Sequence, residues 1–166
     1  MWWLVVNFQR ETPEKSGKIY ERSQVNMLTG EFTHSVDSKN RMFVPAKFRE
    51  ELGETFVISK SVRGNYLQVL SLSEWEAYLA PIKALPRSQS ADTLRYLNRS
   101  AAMVTPDSQG RVVLSQALLD YAGITKNAVV IGCGDYAEIW SEEADNQALE
   151  NVDPETIRLA LEEFGL

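Results

Sequence analysis

The chain has 166 residues, of which 44% are hydrophobic and 24% charged, and its formal net charge at pH 7 is −6. This composition excludes a collagen-like, a disulfide-rich or a globally disordered protein, and no apolar run approaches the roughly 18–20 residues that span a bilayer. The single cysteine, Cys133, excludes an internal disulfide and favours a reducing compartment such as the cytoplasm.

Residues 1–26 differ in pattern from the rest of the chain. They begin with the apolar run Met-Trp-Trp-Leu-Val-Val, which lacks the preceding bases of a signal peptide, and no helical or strand period persists through them. Patterned sequence starts at Met27. We therefore expect residues 1–26 to be a disordered extension, or sequence upstream of a physiological start at Met27. The alternative is an interaction arm anchored by Trp2 and Trp3.

A five-residue motif occurs twice in the chain, displaced by 70 residues. Asp37-Ser-Lys-Asn-Arg41 recurs as Asp107-Ser-Gln-Gly-Arg111, and the same displacement relates Gly53 to Gly123. Several matches in one register indicate a duplicated unit of about 50 residues. Because so small a unit buries too little apolar surface to be stable alone, we expect the two copies to interlock into one closed β-structure.

Each unit is predicted to contain a strand, the Asp-headed turn, a short strand, a brief helix and a hairpin. An Asp at the head of such a turn accepts hydrogen bonds from backbone amides, and Asn40 and Gly110 suit a left-handed conformation within it. The strands predicted in the first unit are 30–36, 41–44, 55–60 and 66–70, with a helix between Pro45 and Gly53. Those predicted in the second are 101–105, 111–114, 128–132 and 136–140, with a helix between Ser115 and Gly123.

Further helices are predicted between and after the two units. Ser73 and Glu76 have the spacing of a capping box, which predicts a helix to about Leu79, limited by Pro81, and a second helix is predicted over 90–99. Asp153 and Pro154 predict the start of a last helix, whose apolar face would dock onto the core or onto a neighbouring subunit: Ile157, Leu161 and Phe164. The predicted division of the chain is an extension (1–26), a first unit (27–77), a helical connector (78–97), a second unit (98–144) and an acidic C-terminal helix (145–166).

Charge is distributed unevenly along the chain. Residues 141–166 hold eight acidic residues against the single base Arg158, whereas residues 27–140 hold twelve of each sign. Within that neutral part, residues 37–49 contain one acid, Asp37, and four bases: Lys39, Arg41, Lys47 and Arg49. On charge alone, this patch indicates no more than a solvated face.

No arrangement of residues typical of an enzyme is present. His34 is the only histidine and Cys133 the only cysteine, so a Cys/His zinc site is excluded and a Cys–His pair has no supporting signature. Asp37 and Asp107 are each followed four residues later by an arginine, which favours ion pairs that fix the turns over a catalytic carboxylate pair. We therefore expect a protein that is not an enzyme and that uses no metal or cofactor.

The two Asp-headed turns are expected to differ in role. The second turn has no further basic neighbours, so Asp107 and Arg111 are assigned to turn architecture, as is Asp37 in the first. The first turn adds basic side chains that can neutralise phosphates and, for arginine, read guanine edges. The candidate DNA-binding residues are Arg41 and Lys39, with Lys47 and Arg49 as flanking phosphate contacts.

With these residues in view, the sequence resembles the MraZ family of bacterial transcriptional regulators, in the AbrB-like swapped-hairpin group. The resemblance covers nearly all of residues 27–145 and is carried by Met27-Leu-Thr-Gly-Glu-Phe, His34-Ser-Val-Asp-Ser-Lys-Asn-Arg41, Leu70-Ser-Leu-Ser-Glu-Trp75, Asp107-Ser-Gln-Gly-Arg111 and Glu138-Ile-Trp140. It implies an α+β, mainly β fold in which two tandem AbrB-like β-α-β repeats interlock into one pseudo-symmetric barrel with flanking helices.

The resemblance also implies a function. It implies a ring-shaped homo-oligomer that binds short G-rich direct repeats in double-stranded DNA upstream of the division and cell-wall gene cluster, including its own promoter. Lys39 and Arg41 would line the DNA-facing side of a cytoplasmic, nucleoid-associated protein with no membrane or small-molecule partner. Asn40 replaces the usual glycine and Ser115 the usual second proline; the departures leave the first copy's role intact and weaken a DNA role for the second.

Two other functions stay open. One is a protein-interaction scaffold, in which the ring binds a protein partner and the basic patch is a solvated face. The other is an antitoxin-type partner, which the fused duplication disfavours. A variant Arg41→Ala that folds and assembles but loses DNA affinity would favour the regulator over both.

Overall fold

The framework of the protein, in a computed structural model that describes residues 27–166, is an antiparallel sheet of six strands. The expectation for residues 1–26 lies outside the described residues. The strands are β1 (Leu28–Ser35), β2 (Arg41–Phe43), β3 (Phe56–Lys60), β4 (Leu67–Ser71), β5 (Ala101–Val104), β6 (Arg111–Val113), β7 (Asn127–Gly134) and β8 (Tyr136–Ser141). Their order across the large sheet is β1-β7-β8-β4-β3-β5, and β2 and β6 form a separate two-stranded ribbon.

The large sheet joins the early and late parts of the chain. The predicted hairpins are confirmed, since β3 pairs with β4 and β7 with β8. The other three pairings are long-range. Strand β1 lies beside β7, with Leu28 opposite Gly134, β4 lies beside β8, with Leu67 opposite Ile139, and β3 lies beside β5. Neither half of the chain therefore forms the sheet without the other.

The ribbon ties the two halves together a second time. Met42 of β2 lies opposite Val112 of β6, and both side chains are buried in the main core. Beyond the strand ends, the Val44 N–H donates to the Gly110 carbonyl at 3.0 Å, and the Leu114 N–H donates to the Asn40 carbonyl at 2.9 Å. The main core beneath the ribbon includes the buried side chains Phe48, Phe56, Ile58, Leu67, Leu118 and Ile139.

Six helices complete a mixed α+β fold in the described part of the chain. They are α1 (Ala46–Leu52), α2 (Leu72–Lys83), α3 (Arg87–Arg99), α4 (Gln116–Ala122), α5 (Glu142–Glu150) and α6 (Pro154–Glu163). The short helices α1 and α4 follow the ribbon strands, as predicted, and bury Phe48 and Leu118. None of the six is long and apolar enough to cross a membrane.

The predicted start and end of α2 are wrong. Strand β4 passes directly into the helix, so Ser71 is the N-cap residue, and its Oγ accepts a hydrogen bond from the Glu74 N–H at 3.2 Å. Two overlapping Ser-x-x-Glu patterns exist here, and the end of the strand selects the earlier one. Pro81 lies within the helix, where its missing N–H costs one bond near the end, and the helix continues to Lys83.

Helices α2 and α3 cover a smaller second core on the other face of the sheet. Val57 and Leu70 from the sheet pack there against Trp75, Leu79 and Leu97 from the two helices. Helix α3 begins at Arg87, directly after Pro86, and so three residues before its predicted start. A proline at the N-cap suits a helix start because it fixes φ and needs no partner for an N–H.

The C-terminal helix starts as predicted and lies free of the core. Asp153 is its N-cap, and Oδ1 accepts a hydrogen bond from the Glu155 N–H at 3.1 Å, with Pro154 as the first helical residue. No residue of α6 is buried. The helix therefore does not dock onto the core of its own chain, and docking onto a neighbouring subunit stays a prediction.

Candidate nucleic-acid interface

The turn before β2 is held by the side chain of Asp37. Its Oδ1 accepts hydrogen bonds from the backbone N–H groups of Lys39 and Arg41, both at 2.9 Å. Its Oδ2 accepts from Nε of Arg41 at 2.8 Å and lies 2.7 Å from Nη2. Asn40 has a φ of 57°, the left-handed conformation predicted there. The side-chain bond from Arg41, with the backbone bonds, lowers the pKa of Asp37 to about 2, so the carboxylate is ionised at neutral pH.

The turn before β6 has the same geometry. Oδ1 of Asp107 accepts from the N–H groups of Gln109 and Arg111, both at 2.9 Å. Oδ2 accepts from Nε of Arg111 at 2.9 Å and lies 2.8 Å from Nη2. Gly110 has a φ of 81°, and the bonds from Arg111 lower the pKa of Asp107 to about 2. Each turn is therefore a closed unit in which an arginine charge is balanced by its own aspartate.

The ion pairs limit what the two arginines offer to a ligand. Nε and Nη2 of Arg41 are engaged by Asp37, while Nη1 has no hydrogen-bond partner within residues 27–166. The side chains of Arg41 and Arg111 are 29% and 22% exposed. Each arginine can thus present one free nitrogen outward while the carboxylate holds its orientation, which is a geometry suited to directional hydrogen bonds.

Lys39 supplies the unbalanced positive charge of the first turn. It is exposed, and its side chain makes no hydrogen bond or ion pair with the part of the chain that the structure describes. At the same place in the second turn stands Gln109, which is neutral. The two turns therefore differ in charge although their hydrogen bonds are the same.

The two candidate residues on α1 point to different places. Lys47 Nζ donates to Oγ1 of Thr29 on β1 at 3.1 Å. Arg49 Nε donates to the Val44 carbonyl at 3.1 Å, and its guanidinium lies against Gly110 of the second turn. Residues two apart on a helix are about 200° apart around its axis, which explains the separation. The structure therefore brings Lys39 and Arg41 together and sets Lys47 and Arg49 apart from each other.

Two exposed apolar side chains lie between the turns, and no motif in the sequence marked them as functional. Phe43 is 46% exposed and Val113 is 61% exposed. In the register of the ribbon, Arg41 lies opposite Val113 and Phe43 lies opposite Arg111. Because neighbouring side chains on a strand point to opposite faces, these residues share the side away from the core. We call them the ribbon face: Arg41, Phe43, Arg111 and Val113.

Residues typical of catalysis are not brought together. Cys133 lies opposite Thr29, and His34 lies opposite Ala128, so the two are five strand positions apart, or about 17 Å at 3.4 Å per residue. Burial, and then the charge of Glu138, raise the pKa of Cys133 to about 11, so the thiol is protonated at neutral pH. Within residues 27–166, no three His, Cys, Asp or Glu side chains are grouped to hold a metal ion.

Comparison with known proteins gives consistent matches over this fold. The family described as "MraZ protein, putative antitoxin-like" matches the chain twice, over residues 27–98 and 97–156. The "Transcriptional regulator MraZ" of Clostridium tetani is 38% identical over 143 residues, which are 84% of this chain and 100% of that protein. The protein of the same name from Caldicellulosiruptor bescii is 42% identical over 144 residues, with the same coverage, and that from Carboxydothermus hydrogenoformans is 43% identical over 122 residues, 72% of this chain and 85% of that protein. Because these matches cover most of the chain and most or all of each relative, the chain belongs to the MraZ family.

Proposed function

We propose that this protein is a sequence-specific DNA-binding transcriptional regulator that acts as a ring-shaped homo-oligomer without a cofactor. Its targets would be short G-rich direct repeats upstream of the division and cell-wall genes, including its own promoter. It would act in the cytoplasm, at the nucleoid, and take no small-molecule substrate. Support comes from membership of the MraZ family and from relatives that carry the name transcriptional regulator.

The observation that carries the proposal is the geometry of the ribbon face. A two-stranded antiparallel ribbon fits the major groove of B-DNA, where arginine reads guanine and apolar groups contact the thymine methyl. Arg41 stands on this face, held in one orientation by Asp37. A side chain that is ordered before binding loses less conformational entropy on contact. Phe43 and Val113 supply exposed apolar surface beside it.

Lys39 and the bases of α1 are the proposed phosphate contacts. Lys39 is exposed at the turn that leads into the ribbon. Its side chain makes no hydrogen bond or ion pair among residues 27–166 that a phosphate would have to displace. Lys47 and Arg49 lie further out, beside β1 and beside the second turn. Contacts to phosphates fix the position of a protein on the duplex and leave the reading of sequence to groups in the groove.

One copy presents little unbalanced positive charge to DNA, which favours binding by an assembly of several copies. The arginines of the ribbon face are balanced by Asp37 and Asp107, which leaves Lys39 in the first turn, and Arg49 beside the second, as the unbalanced positive charges. A single ribbon would therefore bind DNA weakly. Linked copies on repeated sites can gain about 10²–10⁴ in avidity without new contacts, which a ring on direct repeats would provide.

The proposal includes a fold of two tandem AbrB-like repeats, interlocked into a pseudo-symmetric barrel. In its favour, the family matches the chain twice, and Val44 bonds Gly110 as Leu114 bonds Asn40. The two short helices Ala46–Leu52 and Gln116–Ala122 also stand at equivalent places after the two ribbon strands. The proposed boundaries are 27–77 and 98–144, with 78–97 between them and 145–166 after them.

The experiment is fluorescence anisotropy of the full chain on the DNA upstream of its own gene, with a scrambled duplex as control, across a salt series. The variant Lys39→Gln gives the first turn the residue that the second turn already has. We expect it to weaken binding about threefold to tenfold. The slope of the logarithm of the binding constant against the logarithm of the salt concentration should fall in magnitude by about 1 for each copy in contact. Lys83→Gln, at the end of α2, is the matched control and should change nothing.

A protein-interaction scaffold is the second candidate, because Phe43 and Val113 would also suit a protein partner. Equal and weak binding of both duplexes, unchanged by Lys39→Gln, would overturn the regulator and favour this alternative. A preference for the native DNA that falls with salt and with Lys39→Gln would support the regulator.

A further inference from the structure

Helix α6 carries an uncovered apolar face. Ile157, Leu161 and Phe164 follow helical spacing and are 52%, 45% and 81% exposed. The opposite side carries Glu155 and Glu162, which Arg158 bridges, together with the apolar side chain of Leu159, which is 53% exposed. Isolated helices shorter than about 12–15 residues are marginal in water, so a helix of this length needs a packing partner. Its own core does not supply one.

Charge disfavours pairing between two copies of α6. The segment from Val152 to the C-terminus holds four acidic residues, and its one base, Arg158, is already engaged by two of them. Two such helices side by side would place like charges close together. A surface that accepts α6 should therefore combine apolar side chains with positive charge.

Exposed side chains of both kinds lie on the same chain, where α3 leads into β5. Tyr96 is 52% exposed on α3, and Met103 is 69% exposed on β5, at an edge of the large sheet. Met103 lies opposite Val57, whose side chain belongs to the core that α3 covers, so Met103 shares that face of the sheet. Arg95 and Arg99 are exposed on the same helix. We call these residues the α3–β5 surface.

The two arginines differ in availability. Arg95 Nη1 bonds Asp92 at 2.6 Å, and that pair is largely exposed. The side chain of Arg99 makes no hydrogen bond or ion pair within residues 27–166. Asp92 is the single acidic residue of α3, which also carries Arg87, so the helix is net basic. The surface is therefore complementary to α6 in both polarity and charge.

We propose that the apolar face of α6 in one copy docks onto the α3–β5 surface of a second copy. This rests on the homo-oligomer of the proposed function and names the surfaces that build it. Because donor and acceptor are different patches, the contact is heterologous and repeats head to tail, which yields a ring when the rotation closes.

The experiment is sedimentation velocity of the full chain over a concentration series. The donor variant is Leu161→Ser with Phe164→Ser, and the acceptor variant is Met103→Glu with Arg99→Glu. We expect each to raise the concentration of half-assembly by at least about tenfold. The matched control is Leu159→Ser, on the same helix but about 200° around the axis from Ile157. It should assemble like the unmodified chain.

Mixing the two variants tests the head-to-tail contact directly. The donor variant keeps an intact α3–β5 surface, and the acceptor variant keeps an intact α6. At a concentration where each variant alone is monomeric, a one-to-one mixture should therefore form a dimer through one contact. Assembly of either variant like the unmodified chain, or no complex in the mixture, would overturn the proposal.

A charge exchange keeps the proposal testable should a variant fail to fold. Glu163→Arg and Arg99→Glu should each weaken assembly, and their combination should restore it; no restoration counts against the contact. Binding of a duplex with one site, which needs one copy, is measured in parallel. An unmodified chain that is monomeric but loses affinity for this duplex on Lys39→Gln would overturn the docking and leave the DNA-binding proposal standing.

Discussion

The guanidinium group of Arg49 lies directly against the backbone of Gly110. A Cβ atom on Gly110 would stand 2.6 Å from Cζ of Arg49, and the glycine has a φ of 81°. Arg49 belongs to the first short helix and Gly110 to the second turn, and Val44 bonds both of them through its backbone. The short helix of one half of the chain thus packs against the turn of the other half.

We expect Gly110→Ala to destabilise the protein by about 1–2 kcal/mol, chiefly because alanine is strained at this φ, while its methyl group also displaces the flexible end of the Arg49 side chain. The free energy of unfolding from urea denaturation measures the effect. Adding Arg49→Ala removes the steric part and should recover some of the loss. Asn40→Gly, at the corresponding position, removes only an exposed hydrogen bond of 3.3 Å from Nδ2 of Asn40 to Oε1 of Gln116, and should change stability by no more than about 0.5 kcal/mol. A Gly110→Ala variant as stable as the unmodified chain would contradict the strain expected at this φ.

Arg41→Ala and Arg111→Ala form a matched pair for separating stability from DNA binding. Each removes the partner of one aspartate in the same geometry, so both should lower the urea midpoint by similar amounts. We expect Arg41→Ala to weaken specific DNA binding about tenfold or more, and Arg111→Ala to weaken it less, because only the first turn also carries Lys39. Equal losses of affinity would show that the turns contribute alike.

The two aspartates predict how stability changes in acid. Their folded pKa values are about 2, below the value of about 3.9 for an unfolded chain. Each pair therefore stabilises the fold above about pH 4, and this contribution is lost as the pH falls through 2. We expect Asp37→Asn with Asp107→Asn to lower the urea midpoint at pH 7. The difference from the unmodified chain should shrink between pH 4 and pH 2, and a constant difference over that range would count against the ion pairs.

Truncation after Asn151 tests the effect of the acidic C-terminus on DNA. The cut falls there because α5 is packed and capped, with Asp145 buried and Ser141 accepting from the Ala144 N–H at 3.2 Å. It removes four acidic residues and one base. We expect binding of a short scrambled duplex at low salt to strengthen roughly twofold or more, and the gain to vanish at high salt.

Ile157→Ser with Leu161→Ser is the control for this truncation, since it alters the same segment without changing its charge. On a duplex short enough for one copy, it should bind like the unmodified chain. A gain equal to that of the truncated protein would mean that apolar surface, rather than charge, limits non-specific binding.

The turns were predictable because their chemistry is local. Asp37 and Asp107 accept bonds from amides two and four residues on, and Asn40 and Gly110 have the positive φ that their residue types allow. The start of α2 was not predictable from spacing, since Ser71 and Ser73 both precede a glutamate by three residues. The end of a paired strand decided between them.

The parts of the interface that the sequence did not reveal depend on contacts between distant residues. Phe43 stands in the apolar trio 42–44, and only the pairing of β2 with β6 shows which member points outward. The place of Arg49 follows from the position of Gly110, which belongs to the other half of the chain. Local patterns fix turns and helix ends, whereas the face of a strand is fixed by its distant partner.

The pairing of β1 with β7 has a consequence for synthesis on the ribosome. Leu28 pairs with Gly134 and Ser35 with Asn127, so β1, the first of the described strands to be made, waits for one of the last. The ribbon imposes the same delay, since Met42 meets Val112. Until the chain beyond residue 134 has emerged, Phe32 and Met42 have no complete core, and the nascent protein exposes unpaired strands that can aggregate. Such long-range pairing makes folding slow for a chain of this size and puts its completion after translation of nearly the whole protein.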